Sequence, residues 1–383
     1  MTTCYQVNLY DGWGGSEIYT VSFTRALLAN GVPTTVFVLP GSYLHRMLPE
    51  GCTIIPARNF DEVLPHIPDA SWVLIHMNFY EAQAVPFRRH GHFLTSVAHM
   101  TLFGRSPAAL KHLDWIAGDS QYVLDSLAAA GITQFHPQPL WGIADLTARE
   151  GNSDQPIVAN SPYGWDPRKG RDRLLGWLYP CYERFLPQRP YVRKPGITLG
   201  IVSRLANIKQ FPLLLSCIAP VLARHPHVNL EIFGNGGYAT VRDMRRASRS
   251  ICERVRFWGY QRNVGAVYRQ IDYLLAGIPD SEAFGLNLVE AEICGTPVLA
   301  INAPPFTESV LNGVTGFLYE DPRKDNGASF ERLIEQLSRE PFKPDSAAAS
   351  AFLERFSEAA YHERVARFVE SALHTKSTFC STH

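Results

Sequence analysis

Residues 280–300 read DSEAFGLNLVEAEICGTPVLA, and the order of events along them decides the architecture. A strand ends, a polar loop carries Glu282, a helix starts near Gly285 and stops at Gly295, and a strand follows at once over Pro297 to Ile301. Strands that alternate with helices in this way build a mostly parallel sheet covered on both faces. Such sheets bind ligands at the carboxyl ends of their strands, where helix N-termini aim unpaired N–H groups outward. Phe284, Gly285 and Leu286 would supply those groups to an anion or a sugar hydroxyl, and Glu290, one to two turns into the helix, can accept hydrogen bonds from a neighbouring diol. Most glutamates are simply solvated surface groups. Here the spacing, the loop and the glycine-flanked helix favour a site.

The same grammar extends in both directions. Upstream in this half, strands are expected at Ile197 to Val202, Leu230 to Phe233, Val255 to Phe257 and Tyr273 to Ala276. In the N-terminal half, Gln6 to Leu9 and Thr34 to Leu39 flank a helix over Glu17 to Asn30, whose apolar Ile18, Val21 and Leu28 share one face and which Gly31 ends. Trp72 to His76, Phe93 to Ala98 and Trp115 to Gly118 are further strands. Asp119 and Ser120 make a good cap for a helix of Tyr122 to Ala130. The fold class is therefore α/β, with two Rossmann-like domains: 1–190 on the N-terminal side, including an insertion or linker at about 146–195 rich in Pro, Arg and aromatics, and 191–355 on the C-terminal side. Within the insertion a helix is expected near Arg171 to Tyr179.

Bulk properties narrow the function. The chain has 383 residues, and its 36 Lys and Arg balance its 36 Asp and Glu, so no net field recruits nucleic acid; anion binding must be local. Seven cysteines without a CxxC pair suggest neither a zinc site nor a disulfide framework, which fits a reducing cytosol. The first residues lack a secretory leader, and no apolar run approaches the ~20 residues that span a bilayer, so the protein is expected to be soluble or at most to sit on a membrane.

Four other features point to sheet edges. Arg204 and Lys209 lie in the loop after Ile197 to Val202 and can both reach one diphosphate, the Arg as a bidentate fork and the Lys as a point charge. Gly12 to Gly15 and Gly234 to Gly237 follow strands, where either a tight turn or close approach of backbone to a ligand would call for glycine. His99 closes the strand Phe93 to Ala98, with His76 a rival at the end of its own strand. Neither GxGxxG, nor a P-loop, nor a DxD pair, nor metal-ligand histidine spacing is present, so no dinucleotide or divalent-metal clamp is indicated. The Arg-rich run Arg242 to Arg256 reads as a solvated helix face.

Glu282 to Glu290 resembles the E-x7-E motif of the family 4 retaining glycosyltransferases, which have the GT-B fold, two Rossmann-like domains facing each other across a cleft. FGNGG resembles that family's glycine loop, VRFWGY its base-contacting strand and turn, GVTGFLYED the segment after the motif helix, and GGSE at Gly14 to Glu17 the loop that approaches the donor diphosphate. The insertion departs from the family's shorter linker. The resemblance implies a nucleotide-sugar donor, with Glu290 on the ribose, Glu282 near the transferred sugar and the amides of Phe284, Gly285 and Leu286 at its hydroxyls or phosphate. It further implies Arg204 and Lys209 on the departing diphosphate, His99 at the donor sugar, and Gly14, Gly15, Asn235, Gly236 and Tyr260 lining the donor, with no metal. It implies helices at about 356–383 crossing back to the first domain. Retaining transfer to a hydroxyl of a glycan, lipid-linked or small-molecule acceptor follows from it. A sugar-nucleotide epimerase of the same fold and a non-catalytic nucleotide-sugar-binding protein are the alternatives. Arg168, Lys169, Arg171 and Arg173 with Trp165, Trp177 and Tyr179 make either an amphipathic helix lying on anionic lipid, placing the protein peripherally on the inner membrane face, or a helix packed on the domain seam.

Overall fold

The computed structural model describes residues 2–11, 14–143, 156–165, 170–183, 190–342 and 344–380. The first sheet comprises β1 (Cys4–Asn8), β2 (Thr34–Val38), β3 (Thr53–Pro56), β4 (Trp72–Ile75), β5 (Phe93–Ala98) and β6 (Trp115–Gly118) in the order β3-β2-β1-β4-β5-β6. The second comprises β7 (Ile197–Val202), β8 (Val228–Phe233), β9 (Val255–Gly259), β10 (Tyr273–Leu275), β11 (Val298–Ile301) and β12 (Gly316–Tyr319) in the order β12-β11-β10-β7-β8-β9. Read from its other edge and counted from its own first strand, this is the same 3-2-1-4-5-6 order, that of the dinucleotide-binding Rossmann sheet. Every pairing in both sheets is parallel.

Burial explains which strands the sequence announces. Every residue of β2, β4, β5 and β8 is buried, because helices cover both faces of a parallel sheet and leave no polar side to alternate with. The two strands that the hydrophobic runs do not announce, β3 and β12, are sheet edges. TIIP and GFLY are four residues each, and only the ends of GFLY are buried.

Two compact units result: 1–143 with 355–383, and 144–354. The sequence reading ends the first domain at 190. The described parts of the intervening stretch instead hydrogen-bond within the second unit: Asn160 N donates to Trp258 O at 2.9 Å, Gly164 N to Gly236 O at 2.8 Å and Tyr191 N to Ile157 O at 2.7 Å. The helix Gly170–Glu183 occupies the expected place; Arg168 and Lys169 lie outside the described residues. The last helix, Glu358–Cys380, belongs to the first unit, where Asn30 Nδ2 donates to His362 O and Trp115 Nε1 to Ser371 Oγ.

The Arg-rich run needs a correction. The helix Tyr238–Ala247 ends before most of it. Arg254 donates to the carbonyls of Leu222, His225 and Val228, and Arg256, in β9, pairs with the buried Glu231, which also accepts from Trp258 Nε1 at 2.6 Å. A buried carboxylate in a central strand demands such partners, and the sequence pattern alone does not show them.

Candidate functional sites at the two sheet edges

In each sheet the order reverses between the first and fourth strands, β1 and β4 or β7 and β10, and ligands of open α/β sheets bind at that point beyond the carboxyl ends. In the second unit the residues after β7 are Ser203 to Lys209, and those after β10 run to Glu282 and the motif helix Leu286–Ile293. The structure brings Lys209 and Glu282 together: Nζ and Oε2 form an ion pair, with side chains 19% and 15% exposed. Arg204 is exposed, and among the described residues it has no ion pair. A free cation thus stands in the same loop as a cation held by a carboxylate, a pair of positive groups that a diphosphate can recruit.

Gly285 caps the motif helix at φ 91° and ψ 54°, a left-handed conformation that costs a non-glycine residue about 1–2 kcal/mol. The turn it makes leaves the Gly285 and Leu286 N–H groups without an acceptor among the described residues, at the positive end of the helix. Phe284 is buried behind them. Glu290, half-buried, accepts from Tyr268 Oη at 3.1 Å, and burial together with the Glu290 charge pushes the Tyr268 phenol well above its ordinary range. Tyr268 thereby stays a donor and fixes one carboxylate oxygen of Glu290. The sequence reading does not name Tyr268; its signal is only that it closes the short helix before β10.

The glycine loop after β8 is close-packed against its own chain. At Gly234, φ is 130°, and a Cβ there would lie 1.8 Å from Ser203 O; at Gly236 it would lie 2.3 Å from Leu205 O. Gly236 N donates to Pro162 O at 3.0 Å, and Asn235 O accepts from Leu205 N at 2.8 Å. Gly234 and Gly236 therefore serve chain-to-chain approach, whereas a Cβ at Gly237 would meet nothing within 4 Å; the N–H and C=O of Gly236 are both taken, by Pro162 and Gly164. Tyr260, after β9, is 55% exposed, its carbonyl fixed by Asn160 Nδ2 at 2.8 Å.

In the first unit, Gly14 and Gly15 open the helix Gly15–Ala29 after β1, with open space where a Gly15 Cβ would stand; Gly12 lies outside the described residues. His76, His99 and Asp119 follow the neighbouring strands β4, β5 and β6. His99 Nδ1 lies 2.9 Å from Asp119 Oδ2, and its ring stacks on that of His76 at 5.9 Å and 14°. Burial holds His76 neutral, pushing its pKa well down, with His99 adding to the effect. The same burial raises the Asp119 carboxyl, partly offset by His99. Asp119, read from sequence as part of a helix cap, leaves that task to Ser120, whose Oγ accepts from Val123 N at 3.1 Å.

One acidic cluster, His225, Glu331 and Glu335, has ligand atoms within 4.8 Å of one another. Arg224 already holds both Glu331 oxygens at 2.6 Å, and His225 precedes β8, at the amino-terminal edge of the sheet rather than the carboxyl edge.

Residues 186–362 match the family profile of Glycosyl transferases group 1. A D-inositol 3-phosphate glycosyltransferase of Segniliparus rotundus is 32% identical over 352 residues, 80% of this chain and 73% of that protein. The chain belongs to the group 1 glycosyltransferase family. Among other relatives, a Rhodococcus jostii protein of the same description is 33% identical over 160 residues, 39% of this chain. The chain spans about a third of the length of the first curated relatives it matches, at 34% to 37%. Among solved structures, Anabaena Alr3699/HepE in complex with UDP aligns at a TM-score of 0.69 and 16% identity, covering 97% of this chain and 100% of that one. The lipopolysaccharide outer core galactosyltransferase WaaB aligns at 0.64 and 17%, covering 97% and 99%. Likeness at such identity establishes the GT-B type of fold: two Rossmann-like units, each with a six-stranded parallel sheet.

Proposed function

We propose that this family member transfers a hexosyl-type group from a nucleotide-sugar donor to an acceptor hydroxyl, with retention at the anomeric carbon and without a metal. The observation that carries the reading is the meeting of Arg204, Lys209, Glu282, the Gly285 and Leu286 amides and Glu290 on one carboxyl edge, flanking the point where the strand order reverses. Arg204 and Lys209 meet the diphosphate, which removes the need for a divalent ion. Glu290, oriented by Tyr268, takes the ribose hydroxyls, and Glu282, exchanging its Lys209 partner for substrate, lies by the transferred sugar. His99 is assigned the donor-sugar contact that the resemblance gives it, with Phe284, Gly14, Gly15, the Asn235 side chain and Tyr260 around the donor; Gly236, its N–H and C=O both held by the chain, supports that loop. The bond from the anomeric carbon to the phosphate oxygen breaks, the acceptor oxygen bonds to the same face, and the departing phosphate takes the acceptor proton. Stabilising that leaving group is the protein's main contribution.

For the partner side, the helix Gly170–Glu183 exposes Leu174 (58%), Trp177 (74%) and Leu178 (44%), a stripe flanked by the exposed Arg171 and Arg173. We assign it to an anionic lipid surface that presents a lipid-linked acceptor from the cytoplasmic side. The free state of the six described cysteines fits that compartment, and no helix among the described residues is long and apolar enough to cross a membrane. A Trp177→Glu change should abolish co-sedimentation with phosphatidylglycerol vesicles.

Proton NMR of a nucleotide sugar incubated with the protein, with and without acceptor, tests the chemistry. Acceptor-dependent consumption with an unchanged anomeric configuration is expected. An epimerised donor formed without acceptor would establish the epimerase alternative, and binding without any conversion would establish a non-catalytic binder.

A further inference from the structure

His99 is over-determined in a way that donor contact alone does not require. Its ring is packed against Tyr19 at 5.2 Å on one side and stacked on His76 at 5.9 Å. Its Nδ1 faces Asp119 Oδ2 at 2.9 Å, and its Nε2 has no hydrogen-bond partner. Both ring nitrogens of His76 differ from this pattern in a complementary way. Its Nε2 lies 2.7 Å from Gln6 Oε1, whose amide nitrogen is committed to Thr24 Oγ1 at 2.9 Å, and its Nδ1 is the one without a partner. Since Gln6 Oε1 only accepts, His76 carries its proton on Nε2; since a carboxylate only accepts, Asp119 draws the His99 proton to Nδ1.

We propose that Asp119 is a positioning residue that fixes His99 as the Nδ1–H tautomer, leaving the buried, unpartnered Nε2 as the acceptor nitrogen of the ring. The identity of the group that Nε2 meets rests on the transferase reading above; the control of the ring by Asp119 does not. Three neighbouring strands contribute: β4 the neutral platform His76, β5 the working imidazole, β6 the carboxylate. Asp119 is 3% exposed, and its second oxygen, Oδ1, has no partner, so the structure maintains a costly buried carboxyl whose described hydrogen bond goes to His99. Burial raises its pKa for that reason, and His99 works against the rise. A residue kept only for packing would be better served by an apolar side chain of similar size. The platform also matters: burial keeps His76 neutral, so the ring stacked on His99 brings no second positive charge to this edge.

The test is nitrogen-15 NMR of the full-length protein labelled at histidine, at about pH 8, above the ordinary histidine range, with the His99 signals identified by their loss in His99→Gln. The wild-type ring is expected as Nδ1–H. In Asp119→Asn, which keeps the size and fold, the amide can donate to Nδ1 as well as accept from it, so a mixture with the Nε2–H form is expected; Asp119→Ala should release the ring further. Turnover of donor should fall about tenfold in Asp119→Asn, the worth of one misdirected hydrogen bond, with donor KM within about twofold and an unchanged melting temperature. A wild-type ring in the Nε2–H form, or pure Nδ1–H in both variants, would overturn the proposal. A wild-type protein inactive on every nucleotide sugar would defeat the transferase reading instead, and the tautomers would still decide whether Asp119 sets the ring.

Discussion

The two sheets share a strand order yet carry opposite chemistry at the corresponding edge. In the first unit the strand ends present two imidazoles and a carboxylate, with His76 and Asp119 both 3% exposed; in the second they present the exposed Arg204 and a partly buried ion pair, Lys209 and Glu282, with side chains 19% and 15% exposed. The difference teaches that topology chooses where a site stands and a few residues after each strand choose what it does. A diphosphate needs charge that can move to meet it, whereas a directed contact to one hydroxyl needs a ring that cannot turn.

If that division is right, the largest loss of rate belongs to the second edge. Arg204→Ala and Lys209→Ala should each lower kcat by about 10² to 10³, as removal of one preorganised leaving-group charge does; steady-state turnover near wild type in either variant would break the comparison. Next comes affinity. Glu290→Gln should weaken nucleoside diphosphate binding by about 1.5–3 kcal/mol, the worth of a charged hydrogen bond, in calorimetric titration, while His99→Gln leaves that affinity within about twofold. Equal loss in both would show that the two edges do not divide the labour.

Smaller effects sharpen the local geometry. Gly285→Ala should destabilise the protein by about 1–2 kcal/mol in urea unfolding, since its φ of 91° is strained for any Cβ and Phe306 Cε1 would stand 3.3 Å away. The smallest expected effect concerns Glu292, two residues after Glu290 on the same helix but turned inward, where burial raises its carboxyl well above the ordinary range and Thr315 donates to one oxygen at 2.6 Å. A raised pKa means that the folded state holds its proton more tightly, so this group's contribution is fully present below the unfolded value and is lost as pH rises through the folded one. Glu292→Gln should therefore flatten the fall in melting temperature from acid to neutral pH. An unaltered pH slope would show that the buried carboxyl is not the cause.

Sequence exposed the buried strands because parallel sheets write themselves as continuous apolar runs; Trp72–Ile75 and Val298–Ile301 announce themselves in that way. The edge strands β3 and β12 do not, being short and half-covered. Positions of charge at strand ends were legible, as with Arg204, Lys209, Glu282, Glu290 and His99. Their partners were not. The Lys209–Glu282 pair spans 73 residues of chain, and Tyr268 with Glu290 and Asp119 with His99 span 22 and 20; no local periodicity encodes a contact made by two strands lying side by side. For the loop at Gly234 to Gly237 the sequence leaves a tight turn and a close approach to a ligand both open; the structure adds that Gly234 and Gly236 are demanded by Ser203 and Leu205 of the same chain.

The central claim is that the second edge holds a nucleotide-sugar donor through Glu290 and without a metal. A thermal-shift panel of UDP-, GDP- and ADP-sugars and their nucleoside diphosphates, with and without EDTA, on the wild type and Glu290→Ala tests it most directly. At 100 times its Kd a ligand stabilises by about 2.7 kcal/mol. The account predicts a shift for one nucleotide, insensitive to EDTA and lost in the variant. No shift with any nucleotide, or one abolished by EDTA or retained in Glu290→Ala, would contradict it.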